Sequence, residues 1–338
     1  SIPRTFDRDQ HRAATLDAGL GQCAAGMVAL LAGDASARIA DLERLGVAVD
    51  DDTLTGADIV AALADAVRRT PSIRVIESFV GESLILEGKT VRGIEARGTR
   101  GYALGTVTFP AHAVVLATGG IGQLFDDTIN PAEAQGQGLG MAARAGAVMA
   151  DCALIAFEPD ATGTELFHMG GVLTDARGRT SLDGLWAVGE VAATGVHGAG
   201  FLPVNALLEA LVFSARAAAD LQALMPAHRT TPWSPRLDEP TLDLTLSPEL
   251  DLISEARRLM SFALGRDRDA DALADAFVSA SDLARRARHP GSRAMLAAAR
   301  VVLYSAWVRH ETLSETVWRH AETVPRTPPR AMDGRSYC

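Results

Sequence analysis

Apolar positions recur with two different periods along the chain. Helical spacing over residues 9–17 and 23–45, followed by an amphipathic run at 56–69, predicts a helical opening. Residues 73–109 then show short apolar runs separated by turns, a pattern typical of strands. We expect a small antiparallel meander of four strands, at 73–77, 83–87, 91–95 and 105–109.

A second set of apolar runs follows, with glycines at their ends. Residues 113–116 predict a buried strand, 130–148 a glycine-spaced helix, and 172–174 a short strand. Residues 175–180 have a composition typical of a hairpin-like turn. The next stretch, 185–208, combines a strand at 185–188, a glycine-rich crossing, and the start of a helix that runs from Pro203 to about Leu224 and is expected to be buried on most sides.

The composition changes after this helix. Pro, Thr, Ser, Asp and Glu dominate residues 225–250, which predicts a surface linker. Helical periodicity then returns at 248–264, 270–288 and 292–308, with a short helix at 313–319. We therefore predict an α/β domain over 1–224, a linker over 225–250, a helical bundle over 251–325 and a loose tail over 326–338.

Composition excludes several classes of function. Hydrophobic residues make up 48% of the 338 positions and the net charge is −10, so we predict a globular protein that does not bind nucleic acid. Lys89 is the only lysine, which leaves no P-loop lysine. Three cysteines far apart in sequence predict neither a zinc site nor a disulfide framework. No apolar run predicts a membrane span, and no leader is visible, so we expect a cytoplasmic protein.

The stretch 185–208 carries the strongest chemical signal. Its strand ends at Gly189-Glu190, and an acidic residue at the carboxyl end of a sheet strand can accept ribose hydroxyls. Glycines around His197 allow a flat ligand to approach the backbone, and the helix from Pro203 offers amide donors. The alternative is a plain glycine-rich connector, and these residues alone leave both interpretations open.

Three motifs together resemble one family. They are VVLATGG at 114–120, the glycine-spaced run that ends in GMAARAGA at 130–147, and GVLTDARGRTSLDGLWAVGEVAATGVHGA at 171–199. The chain resembles the L-aspartate oxidases, within the succinate dehydrogenase and fumarate reductase flavoprotein superfamily. The resemblance implies a Rossmann-like, FAD-binding α/β fold with a C-terminal helical bundle. It also implies FAD-dependent oxidation of L-aspartate to iminoaspartate, which feeds quinolinate and NAD synthesis.

The resemblance assigns cofactor roles to particular residues. Ala117, Thr118, Gly119 and the adjoining Gly120 match the strand end that passes beside the adenosine part of FAD. Glu190 matches the acid that holds a ribose or flavin-side hydroxyl. The helix start that faces the isoalloxazine ring matches three further residues, which are Asn205, Ala206 and Leu207.

The sequence also departs from the family. The N-terminal strand with its GxGxxG turn is not found in these 338 residues, a loop is shorter near 51–56, and a capping domain is missing between 159 and 167. One explanation is that flavin-contacting segments lie outside the sequence; the other is that the protein has become shorter. Substrate positions have changed as well: the family's two histidines and one arginine correspond here to Glu158, Leu166 and Phe201.

These substitutions predict weaker recognition of a dicarboxylate, because arginine binds a carboxylate through a bidentate fork that Phe201 lacks. Three candidate catalytic residues remain on the segments that match the family's active site, namely Glu158, His168 and His197. Glu158 and His168 could form an acid/base pair, or a metal site with Glu165; structural roles for each are the alternative.

Three functions are consistent with these residues and motifs. The first is an FAD-dependent oxidase acting on an amino-acid or dicarboxylate substrate, with aspartate as the parent substrate. The second is a different acid/base reaction on a small amino or hydroxy acid in a remodelled pocket, a reaction that would not require flavin. The third is a non-catalytic homologue that forms a homo-oligomer or binds a true oxidase as a partner subunit through the bundle.

Overall fold

A computed structural model describes residues 7–49, 56–99, 105–158, 163–224, 249–265 and 268–312. Four predicted features lie wholly or largely outside the described residues. They are the loop deletion at 51–56, the linker at 225–248, the fourth bundle helix at 313–319 and the C-terminal tail. The mixed α/β fold with a small meander and a C-terminal bundle, predicted from the sequence, is confirmed.

The chain opens with three helices: α1 (Arg8–Ala18), α2 (Ala25–Arg44) and α3 (Gly56–Arg68). Asp7 caps α1 by accepting hydrogen bonds from the backbone N–H groups of Asp9 and Gln10, both at 3.0 Å. The helical pattern expected at 23–45 forms the single helix α2. Its buried face packs on the helix that begins at Pro203.

In the part of the chain that the structure describes, the meander has three strands, not the four predicted. They are β1 (Phe79–Glu87), β2 (Thr90–Gly98) and β3 (Thr106–Pro110), all antiparallel. The strand predicted at 73–77 is wrong: this segment has no regular structure, and Ile73, Val75 and Ile76 are exposed. Its β-branched pattern is typical of a strand, but no strand of the described residues pairs with it, and an isolated strand leaves its backbone groups unbonded.

The remaining strands are short and form three small sheets. β4 (Val114–Leu116) lies parallel to β9 (Leu185–Ala187), and β6 (Ile155–Phe157) lies antiparallel to β7 (Glu165–His168). β8 (Gly171–Leu173) is the centre of the third sheet, between β5 (Met149–Ala150) and β10 (Ala192–Ala193). The parallel pair β4–β9 brings the ATGG turn and the Gly189-Glu190 segment to one edge.

Two helices differ from the sequence predictions. The glycine-spaced helix, expected over 130–148, is only α4 (Gln137–Arg144), because Gly136 before it has a left-handed backbone with φ of 72°. Helix α5 (Pro203–Leu224) has the predicted bounds. It is buried along one face rather than on most sides, since Ser214, Ala218 and its last residues are exposed.

The bundle consists of α6 (Leu250–Ala263), α7 (Ala270–Arg286) and α8 (Pro290–Thr312) within the described residues. Its apolar side chains join those of the α/β part in one core that includes Leu116, Leu139, Met260 and Val302. Arg257 of α6 also donates to both the backbone and side-chain oxygens of Gln123, at 2.7 and 3.0 Å. The bundle therefore supports the segment that follows the glycine turn of β4. None of the described helices has the length and apolarity needed to cross a membrane.

Candidate functional site

The carboxyl ends of β4 and β9 form the centre of the candidate site. The Val188 N–H donates to the Leu116 carbonyl at 2.9 Å, which holds the two strand ends side by side. Beyond them, Ala117, Thr118 and Gly119 are exposed, while Gly120 is buried. The residues after β4 and after β9 that the resemblance assigns to the cofactor thus lie side by side. The backbone of the turn after β4 is accessible to a ligand.

Glu190 lies directly against this turn. Its Oε1 accepts a hydrogen bond from the His168 backbone N–H at 3.0 Å, and a Cβ on Gly120 would collide with the same carboxylate. Burial raises the pKa of Glu190 to about 7, against the hydrogen bond from His168, and the charges of Glu165 and Glu209 raise it further. Within the described residues Oε2 accepts no hydrogen bond, so it can accept one from a ligand hydroxyl.

The three residues at the start of α5 point in different directions. Asn205 is fully buried, and its Nδ2 donates to Thr15 Oγ1 at 3.1 Å, which ties α5 to α1. Ala206 packs on the apolar cluster that contains Leu154 and Phe167. Leu207 packs on a different cluster, which includes Leu42 of α2. The Asn205 side chain is therefore committed to α1, whereas Ala206 and Leu207 are only partly buried.

His197 is held by an acid that sequence reasoning did not assign. His197 Nε2 lies 3.1 Å from Glu209 Oε2, and both side chains are 2% exposed. A carboxylate accepts hydrogen bonds, so His197 Nε2 carries a proton and donates it to Glu209. Thr194 Oγ1 donates to the other oxygen of Glu209. The sequence signal was present, since Glu209 is the first acid in an otherwise apolar run of helix.

His168 and Glu158 do not form an acid/base pair. In the β6–β7 register His168 lies opposite Ile155, whereas Glu158 follows Phe157 at the other end of the hairpin. His168 Nε2 donates to the Cys152 carbonyl at 3.1 Å. Burial lowers the pKa of His168 to about 4, so its ring is neutral. The register of the hairpin, which the sequence did not show, separates the two residues.

Glu165 is fully buried and supports the loop beside the site. Its Oε2 accepts hydrogen bonds from Thr128 Oγ1 at 2.6 Å and Asn130 Nδ2 at 2.8 Å. A Cβ on Gly122 would lie 2.7 Å from the same oxygen. Burial raises the pKa of Glu165. Across the described part of the chain, no group of three histidine, cysteine or acidic side chains is placed to hold a metal ion, so the metal alternative has no site there.

An apolar cluster occupies the positions where the resemblance implies substrate-binding residues. The Phe167 and Phe201 rings are stacked at 4.5 Å with an interplanar angle of 15°, and Phe167 contacts His197 edge-on at 4.9 Å. Leu166 packs on the same cluster. No charged side chain belongs to this cluster as the described residues form it.

Sequence reasoning also missed two arginines of the bundle. Arg268 donates from Nη1 to the Ala153 carbonyl at 2.8 Å, and Arg309 donates to Gln22 Oε1. Burial, and then the charge of Arg309, lowers the pKa of Arg268 to about 10. The first contact fixes the bundle on the segment before β6, and the second fixes it on the loop between α1 and α2. The sequence around Arg268 and Arg309 does not predict these contacts, because the partner residues lie more than 100 positions away in the chain.

A large part of the chain matches a known protein family. Residues 47–163 and 156–207 match the family described as "FAD binding domain". The two matched ranges overlap at 156–163, next to the position where the sequence predicts a missing capping domain. The residues present fit part of an FAD site, namely the open turn after β4, Glu190 Oε2 and the start of α5. Among the described residues nothing forms the GxGxxG turn that the resemblance assigns to the pyrophosphate.

Solved structures show the same fold. The chain is similar to the quinol fumarate reductase subunit FrdA of E. coli, with a TM-score of 0.74 and 16% identity over 91% of this chain and 81% of that one. It is also similar to Sdh1 of Mycobacterium smegmatis, with a TM-score of 0.71 and 19% identity over 89% of this chain and 76% of that one.

The chain is similar to L-aspartate oxidases of several bacteria. That of Agrobacterium fabrum is 31% identical over 416 residues, which cover 88% of this chain and 78% of the relative. Because this alignment is longer than the 338-residue chain, the relative carries additional residues inside the aligned region. That of Rhodospirillum rubrum is 47% identical over 178 residues, 49% of this chain and 63% of the relative. The chain belongs to the L-aspartate oxidase family of FAD-dependent oxidoreductases.

Proposed function

We propose that this protein binds FAD along the carboxyl ends of β4 and β9 and oxidises the α-carbon of a small amino acid. The observation that carries the proposal is the contact between the β4 turn and Glu190 at the paired ends of β4 and β9. The buried His197–Glu209 pair lies on the adjoining crossing, and Ala206 at the start of α5 packs on the neighbouring Phe167 cluster. The names of the relatives indicate L-aspartate as the parent substrate.

The protein's own residues would divide the work. Glu190 would hold the β7 backbone at His168 through Oε1 and a ligand hydroxyl through Oε2, while the amides at the start of α5 would face the ring. Glu209 orients the His197 ring by accepting a hydrogen bond from its Nε2, so that Nδ1 faces away from the carboxylate. The chemistry that FAD supplies when bound is acceptance of a hydride from the substrate α-carbon, and loss of an amino proton then leaves the imino acid.

The test is a flavin measurement on the purified protein. We expect a flavin absorption spectrum, or FAD binding after its addition, together with anaerobic bleaching by an amino-acid substrate. Glu190→Ala should weaken FAD binding by about tenfold or more, because it removes a buried acceptor. Glu255→Ala, at an exposed position of α6, is the matched control. A protein that neither contains nor binds FAD would refute the proposal.

One observation favours a second candidate, a partner-binding homologue. Within the described residues β4 pairs only with β9, and Val115 on β4 is 41% exposed, so one edge of this parallel pair is open. Open strand edges recruit strands from other chains. If this edge binds a second copy, sedimentation should show a dimer that Val115→Lys dissociates, because edge lysines oppose strand pairing. A wild-type monomer at all concentrations argues against this candidate.

A further inference from the structure

We infer that the substrate carries an apolar side chain, and that the cluster around Phe201 binds it. This inference rests on the proposed function, because it names the substrate class of the same site. Its centre is the stacked pair of Phe167 and Phe201, whose rings lie 4.5 Å apart. The stack forms a flat aromatic surface directly beside the His197 ring.

Apolar side chains form the cluster, and the His197 ring contacts its two phenylalanines. Three buried residues form its base, namely Leu154, Phe167 and Met169. Five partly buried residues surround them and retain surface that a ligand can cover, which are Ala156, Leu166, Ala199, Phe201 and Ala206. Binding an apolar side chain here removes apolar surface from water, whereas a second carboxylate would lose its hydration without gaining an ion pair from the cluster.

The position of the cluster relates it to the chemistry. The ring centroids of His197 and Phe201 are 5.9 Å apart, and the centroids of His197 and Phe167 are 4.9 Å apart. Helix α5 begins at Pro203, two residues after Phe201, so the positive end of its dipole lies beside the cluster. A ligand with its side chain on Phe201 would therefore place its α-carboxylate near this helix end and its α-carbon near His197.

Charge elsewhere in the site opposes a dicarboxylate further. Glu190 and Glu209 lie on the two segments that flank His197, and the charge of Glu209 already raises the pKa of Glu190. Another carboxylate near them would add like charge in a buried region. An apolar amino acid brings only its α-carboxylate, which the α5 dipole favours. Specificity in this site therefore comes from apolar contact and from exclusion of a second negative charge.

The direct test is equilibrium binding, which does not depend on turnover. Equilibrium dialysis of the full chain with radiolabelled L-phenylalanine, L-leucine and L-aspartate should show the apolar amino acids bound at least about tenfold more tightly than aspartate. Phe201→Arg should reverse this order. Phe262→Arg is the matched control, because Phe262 is 78% exposed on α6 and lies outside the cluster. It should leave the preference unchanged.

The outcomes separate this inference from the proposed function. Equal or tighter binding of aspartate by the wild-type chain, or no binding of any of the three amino acids, overturns the inference even if FAD is bound. A preference for apolar amino acids without FAD binding supports the inference and overturns the proposed function. In a protein that does bind FAD, anaerobic flavin bleaching should show the same order of substrates.

Discussion

The His197 ring and the Glu209 carboxylate lie 3.1 Å apart, and each side chain is 2% exposed. A buried carboxylate is stabilised by the groups that donate hydrogen bonds to it. For Glu209 these groups are the His197 ring and Thr194 Oγ1. The pair joins the glycine-rich crossing to the second turn of α5. It therefore contributes both to the stability of the fold and to the orientation of the His197 ring.

We expect Glu209→Ala to lower the free energy of unfolding by about 3 kcal/mol or more, because it leaves a buried histidine and a buried hydroxyl without their acceptor. Glu209→Gln retains an acceptor oxygen and should cost less, about 1–2 kcal/mol. Urea unfolding at neutral pH measures both values. Glu255→Gln on the exposed face of α6 should change the free energy by less than about 0.5 kcal/mol. If the two Glu209 variants matched this control, the buried pair would have no stabilising role.

Gly120 cannot be enlarged without moving Glu190. A Cβ at this position would collide with the Glu190 carboxylate, so Gly120→Ala should cost about 1–3 kcal/mol of stability and weaken binding at the β4 turn. Thermal unfolding and FAD titration measure the two effects. Gly26→Ala on α2, where nothing lies within 4 Å of the added Cβ, should be neutral or slightly stabilising.

The same contact allows a rescue experiment. Glu190→Asp shortens the side chain, so adding it to the Gly120→Ala variant should recover part of the lost stability. Strictly additive losses in the double variant would show that the two residues do not interact.

Glu190 should make stability depend on pH. Burial raises its pKa from 4.5 to about 7, so the native protein holds a proton that the unfolded chain has released between these pH values. The stabilisation is therefore complete below pH 4.5 and is lost as the pH rises to about 7, by about 2–3 kcal/mol. Glu190→Gln removes this dependence. We expect the stability of the variant relative to wild type to increase from pH 4.5 to 7 in urea unfolding, and a constant difference would contradict the raised pKa.

His168 should produce the opposite slope. Burial lowers its pKa from 6.5 to about 4, so the unfolded chain binds a proton that the native protein does not. Its contribution is complete above pH 6.5 and falls by about 3 kcal/mol as the pH drops to about 4. His168→Gln keeps an N–H donor for the Cys152 carbonyl but does not titrate. The variant should therefore lose less stability than wild type on acidification, whereas parallel pH profiles would count against a neutral buried histidine.

Much of the fold follows from local pattern. Helices α3 and α5 and the strands β1, β2 and β3 lie close to their predicted bounds, because each has the apolar period of its own element. The predicted strand at 73–77 was wrong for a reason that local pattern does not contain. A strand needs a partner for its backbone groups, and pairing depends on residues far away in the sequence.

The candidate site divides in the same way. The sequence by itself determined the family, the two glycine-bounded strand ends, and the loss of charged residues at Leu166 and Phe201. Only the tertiary structure decided that Glu190 bonds the backbone of His168, that Glu209 holds His197, and that Glu158 lies at the far end of the hairpin from His168. Motifs record which residues are present, whereas proximity depends on strand register and on the side of each helix that is buried. Those two properties arise only when the elements pack together.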